Sequence, residues 1–141
     1  MNKEFPPYEQ ALELKKLGFD EPCFGYYRTT LIPSNYTEYF LELERGMNDD
    51  FEDNRNYFLL EDTCSAPTFS QAFRWLLEKH NLYGIIIPTV TMAWTFKTMT
   101  VVQGMVEVPP YNHVGAYDYS SREEAELDCL KKLIEIVKQK L

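Results

Sequence analysis

Apolar positions along this chain recur at two periods. Tyr8, Ala11 and Leu12, backed by Leu14 and Leu17, follow one another at spacings of three and four, which predicts a first helix over Tyr8–Leu17. Pro6 and Pro7 suit the approach to its first turn and Gly18 suits its end. Asp20-Glu21-Pro22 reads as a turn, and Cys23 to Arg28 as a first strand rich in aromatics. Tyr36 to Glu44 fits either a strand or a short helix. Gly46 to Asn56 reads as an exposed acidic loop, and Tyr57-Phe-Leu-Leu60 as another short strand.

The second helix has a sharper start, because Thr68 and Gln71 stand in capping-box relation. Phe69, Ala72, Phe73 and Leu76 form its stripe, widened by Leu77, with Trp75 off the edge and an end near His80-Asn81. From Tyr83 the period changes to that of strands. Ile85–Ile87, Val90–Thr100 and Val101–Val108 are rich in β-branched and aromatic residues. Met92, Trp94 and Phe96 alternate with Ala or polar residues, the pattern of a half-buried strand. Gly104 and Pro109-Pro110 punctuate the end of this region, and Tyr111–Tyr119 reads as a tyrosine-rich loop. Ser121 and Glu124 form a second capping box, opening a third helix to about Gln139. Its stripe is Leu127, Leu130, Ile134, Val137 and Leu141, broadened by Leu133 and Ile136. Acidic residues crowd the first half of this helix and lysines the second, complementing its dipole.

These elements predict one α+β domain over 1–141: an antiparallel sheet of about four to six strands packed against three helices, with the second and third helices on one face. The 141 residues are enough for a core without disulfide or metal staples. Tyr8-Glu-Gln-Ala-Leu12 echoes Phe69-Ser-Gln-Ala-Phe73, over too few positions to establish a duplication.

The formal net charge of −8 disfavours a nucleic-acid backbone as direct partner. Its location matters more than its size. Residues 42–62 hold eight acidic and two basic side chains, a net of −6, and 42–56 is expected to be exposed and flexible. By contrast, Lys97 is the only charged residue in 80–106, which predicts that this run points inward. No apolar stretch is long enough to span a membrane, and the N-terminal MNKEFPPYEQ contains no apolar core of a secretory signal. Cys23, Cys64 and Cys129 are far apart and odd in number, so reduced buried thiols and a cytoplasmic setting are expected.

Little in the chain predicts catalysis. From Asp50, calcium-loop offsets fall on Asp50, Glu52, Asn54, Asn56, Phe58 and Glu61. Arg55, however, stands where the sharp turn needs glycine, so no metal is expected there. His80 and His113 have no identified partner, three scattered cysteines do not make a zinc site, and no nucleotide-loop or nucleophile-elbow pattern occurs. No cofactor is predicted. The candidate binding residues are Asp49, Asp50, Glu52 and Asp53 in the acidic segment. Tyr111, His113, Tyr117 and Tyr119 join them, since loop tyrosines supply contact area with a polar tip.

Three segments, YEQALELKKLGFDEPCFGYY (8–27), PTFSQAFRWLLEKHNLYG (67–84) and SSREEAELDCLKKLIEIVK (120–138), resemble a family of small uncharacterised proteins. That family occurs in bacteriophages and mobile elements of Bacteroides-type gut bacteria. The resemblance implies a setting, the cytoplasm of a bacterial host, and transfers no catalytic residue. Together these readings favour a non-enzymatic protein that binds a host protein, inhibiting a defence system, with acidic mimicry of nucleic acid as one version. A small-ligand protein sequestering a nucleotide signal at the tyrosine loop is the second reading. A small hydrolase built on carboxylates or His113 is the third, and a homo-oligomer is compatible with all of them.

Overall fold

The computed structural model describes residues 2–32, 36–43, 63–102, 105–107 and 119–141. They fall into two compact units, Met1–Thr68 and Phe69–Leu141.

In the first unit a 3-10 turn (Asn2–Glu4) precedes α1 (Tyr8–Lys16), β1 (Gly25–Ile32), β2 (Tyr36–Leu43) and β3 (Thr63–Ala66). Pro7 occupies the N-cap of α1 with φ −58°, a value its ring imposes. The helix stops because Gly18 turns left-handed, at φ 101°. Its N–H then donates to Lys15 O and the Phe19 N–H to Leu14 O, both at 3.0 Å, the paired bonds of a Schellman end. Phe19, buried beyond the glycine, anchors that turn.

β1 is the central strand. It pairs antiparallel with β2 from Gly25↔Leu43 to Ile32↔Tyr36, and with β3 from Gly25↔Ala66 to Arg28↔Thr63. The ambiguous Tyr36–Glu44 run is thus a strand, and the first strand starts two residues later and runs farther than its aromatics predict. β3 escapes sequence reading altogether, since Thr-Cys-Ser-Ala lacks bulky apolar alternation. Phe5, Ala11, Tyr27, Cys64 and Ala66 close the core of this unit, with Tyr8 against it. The strand expected at Tyr57–Leu60 and the loop Gly46–Asn56 lie outside the described residues.

The second unit contains α2 (Phe69–His80), β4 (Leu82–Pro88), β5 (Trp94–Val102), β6 (Met105–Glu107) and α3 (Arg122–Lys140). The strands form an antiparallel meander in the order β4-β5-β6. Both helices cover one face, as the sequence predicts. A Cβ built on Gly84 of β4 would lie 2.6 Å from Cys129 Sγ of α3 and 3.5 Å from Phe73 Cε1 of α2. Ser121 caps α3 by accepting from the Glu124 N–H, while the Glu124 carboxylate accepts from the Ser120 hydroxyl at 2.9 Å. Asn81 ends α2 in the left-handed region at φ 56° and donates its N–H to Leu77 O.

The chain is therefore α+β, with three α-helices and antiparallel strands among the described residues. Those strands divide into two three-stranded sheets rather than one. Each sheet carries its own helical cover, so neither needs the other's strands to bury a face. Both units open with a helix and continue into antiparallel strands. Their sheets differ, however: the first strand is central in one unit and the second in the other. The short sequence echo does not extend to topology.

Two apolar stripes hold at most of their predicted positions and shift at their margins. In α2, Trp75 is buried beside Phe69, Ala72 and Leu76, while Phe73 is left half-buried. In α3 the buried set is Ala125, Cys129, Leu130, Leu133, Ile134, Ile136 and Val137, and Leu141 is exposed.

Candidate interaction surface

The β4–β5 hairpin departs most from expectation. Alternation places Met92, Trp94 and Phe96 inward on one strand. Phe96 does point inward and Trp94 is half-buried, and the row continues through buried Thr98 and Thr100, but Met92 lies in the turn. Thr89 organises that turn. Its N–H donates to Ala93 O at 2.8 Å, its carbonyl accepts from the Met92 N–H, and its hydroxyl accepts from the Ala93 N–H at 3.2 Å. A hydroxyl–hydroxyl bond to Thr91 completes the staple. Held this way, Val90 is 102% and Met92 93% exposed. Met92 also sits at φ 62°, a left-handed conformation that costs a side-chain-bearing residue about 1–2 kcal/mol. The charge-poor run 80–106 is therefore not wholly interior, and its middle is an apolar knob.

Among the described residues, β5 is the one strand that pairs with β4, so the other edge of β4 carries no strand. Val101 N–H donates to Asn81 O and Thr89 N–H to Ala93 O, which fixes the phase of the β4–β5 ladder. Odd-numbered peptides of β4 face β5, so those of Gly84 and Ile86 point to the other side. There a cleft of about 230 Å³ is lined by Phe69, Phe73, Gly84, Ile86, Arg122 and Glu126, among others. Phe69 and Phe73 stack with centroids 6.3 Å apart, and Arg122 Nε meets Glu126 Oε1 at 3.1 Å on the rim. By sequence Phe69 and Phe73 read as core stripe and Ile86 as strand interior, not as the walls of a cleft. A run such as Ile85-Ile-Ile87 reads as fully buried, and only the strand order reveals it as an edge.

Of the predicted binding residues, Asp49, Asp50, Glu52, Asp53, Tyr111, His113 and Tyr117 lie outside the described residues. Tyr119 is described, and its backbone exchanges both hydrogen bonds with Trp94 at 2.7 and 2.9 Å. Its ring lies 5.9 Å from that of Phe96. Its phenol is pushed up to about 12, by burial first and then by its hydrogen bond to Asp128. This tyrosine extends the sheet and shields its core.

The groups able to act as nucleophiles are muted. Burial is the main cause raising Cys23 and Cys129 to about 12 and Cys64 to about 11, so each stays a neutral thiol near pH 7. None of the three forms a disulfide, and all are buried. His80, the last residue of α2, lies edge-on to Trp75 with centroids 5.0 Å apart, and its buried Nε2 has no hydrogen-bond partner. A helix C-terminus favours a protonated imidazole. Burial, helped by the Lys140 charge, outweighs that and lowers the His80 pKa below its ordinary 6.5. The unfolded chain therefore binds this proton first, so stability is whole above pH 6.5 and declines as pH falls through the lowered value. Urea titrations at pH 7.5 and 5 should show that decline in the native chain and a smaller one in His80→Phe. Equal declines would remove His80 as a cause.

Among the described residues, no cluster of three or more His, Cys, Asp or Glu gathers as a metal site, and no helix is long and apolar enough to cross a membrane. Compared with protein-family models, curated proteins and solved structures, the chain finds no match.

Proposed function

We propose that this protein works by binding another protein, a host component in the bacterial cytoplasm, in the phage or mobile-element setting implied by its three resembling segments. The observation that carries the reading is the hairpin tip. Two large apolar side chains are fully exposed on a turn stapled by Thr89, and Met92 is strained to stay there. Strain held by surrounding bonds is retained where function requires it. A Val–Met knob suits an apolar pocket on the partner, and a defence component is the class of target the setting suggests. The acidic 42–62 segment would steer a basic partner toward it. Capture of a small nucleotide is the second reading: its tyrosine loop lies mostly outside the described residues, and the described cleft beside β4, about 230 Å³, falls short of the ~300–1,000 Å³ of ordinary ligand sites.

A photo-crosslinking residue at Met92, expressed in the host, should trap a defined protein that the same group at exposed Lys138 does not. Loss of the adduct on Val90→Asp supports the reading, whereas identical adducts from both positions would overturn it. Met92→Gly separates binding from folding. It relieves about 1–2 kcal/mol of left-handed strain and concedes ~0.4–1 kcal/mol of unfolded-chain entropy. Urea unfolding should therefore show stability kept or slightly raised while complex formation falls. Salt distinguishes the two surfaces: binding carried by the knob survives about 1 M NaCl, and binding carried by the acidic segment does not.

A further inference from the structure

Edge strands are ordinarily protected by charged side chains, prolines, bulges or a covering helix or loop. β4, Leu-Tyr-Gly-Ile-Ile-Ile-Pro, is an edge strand among the described residues, has no charged residue, and carries its proline only at the end. The Gly84 and Ile86 peptides point away from β5 toward the cleft, a phase set by the Asn81–Val101 and Thr89–Ala93 bonds. We propose that this edge pairs antiparallel with β4 of a second copy, about a two-fold axis through Ile85.

Three features select a second copy as the occupant. The first is parity. With Ile85 on the axis, Gly84 faces the partner's Ile86, and both residues have outward N–H and C=O groups. Each such pair exchanges two hydrogen bonds, and symmetry supplies the second pair. The second is side-chain matching. On the face away from the helices, exposed Tyr83 meets the partner's Ile87, and half-buried Ile85 meets the partner's Ile85, aromatic and β-branched partners suited to cross-strand contact. On the helix face the space directly over Gly84 is filled by Cys129 and Leu133, so the partner's Ile86 would stand beside the glycine, at the cleft lined by Phe69 and Phe73. The third is charge. Self-pairing by an acidic chain would bring like charges together, but the strand is uncharged and most of the excess acidity is in 42–62. The two sheets would become one six-stranded sheet with a closed isologous interface.

Sedimentation equilibrium of the full chain should show a concentration-dependent monomer–dimer equilibrium. Ile85→Lys and Ile85→Glu each place like charges at the axis and should raise the dissociation constant at least about tenfold. An equimolar mixture of the two should associate again, a rescue that a folding defect cannot produce. Hydrogen exchange of the native chain gives a mutation-free readout: protection of the Gly84 and Ile86 amides should rise with protein concentration, and that of Tyr83 and Ile85, already bonded to β5, should not. A chain that stays monomeric at every concentration overturns the pairing. So does dimerisation undiminished in both charge variants, or exchange at Gly84 and Ile86 that ignores concentration.

Discussion

Gly84→Ala should unfold at a distinctly lower urea concentration with an unchanged slope, a loss of about 1–3 kcal/mol. The reason is contact rather than backbone freedom. The added Cβ would stand 2.6 Å from Cys129 Sγ and 3.1 Å from Leu133 Cδ1. Both residues are completely buried, and α3 is held over the sheet by its whole inner face. Both contacting atoms are side-chain ends with no free space around them, so Cys129 and Leu133 must repack or β4 and α3 must move apart. Gly84→Val should cost more still. The prediction has an internal control: Cys129→Ala removes the nearest atom and alone opens a small void. The double variant Gly84→Ala/Cys129→Ala should recover much of the loss, with a coupling of about 1–2 kcal/mol in the cycle. Strict additivity would place the damage elsewhere. Gly18 makes the opposite case, because a Cβ there meets nothing within 4 Å. At Gly18 alanine would be penalised by the left-handed backbone alone.

The legible parts of this fold are those governed by local rules. The Thr68 and Ser121 starts, the Gly18 and Asn81 stops and the three helices follow from caps and period, and the structure places them within a residue or two. The errors share one cause, which is that local pattern does not report what lies opposite. Met92 fits the alternation of Trp94 and Phe96, but a four-residue turn ahead of Trp94 claims it, and Thr98 takes the inward place farther along. Thr63–Ala66 becomes a strand because β1 offers it an edge, not because its residues favour one. The candidate surface was least legible of all. An uncharged isoleucine run predicts burial, and only the strand order places it at the edge of the described sheet. Thr89 likewise reveals its stapling role only when its three partners are seen together.

Tyr27 gives the largest expected effect in the first unit. Its ring is buried, lies edge-on to Tyr8 at 5.8 Å, and its hydroxyl donates to the buried Pro6 carbonyl. It ties the approach to α1 to the central strand. Tyr27→Phe keeps the ring and strands an acceptor, which should cost about 1–3 kcal/mol at pH 7. Tyr27→Ala also empties an aromatic site between α1 and β3 and should lose about 3–5 kcal/mol or more, a large part of an ordinary domain's stability. Burial, with smaller help from Glu9 and Cys64, raises the Tyr27 phenol from 10 to about 12. Between those values the unfolded chain has given up the proton and the folded chain has not. The contribution is therefore complete below pH 10 and is lost as pH rises through 12. The raised cysteines weaken both proteins over the same range, so the useful quantity is the difference between them. The advantage of the native chain over the Tyr27→Phe variant in urea unfolding should be constant from pH 7 to 9 and shrink steadily above 10. A difference that stays flat to pH 12 would mean that the phenol ionises as easily inside the fold as outside it, and the hydrogen bond to Pro6 would then contribute little.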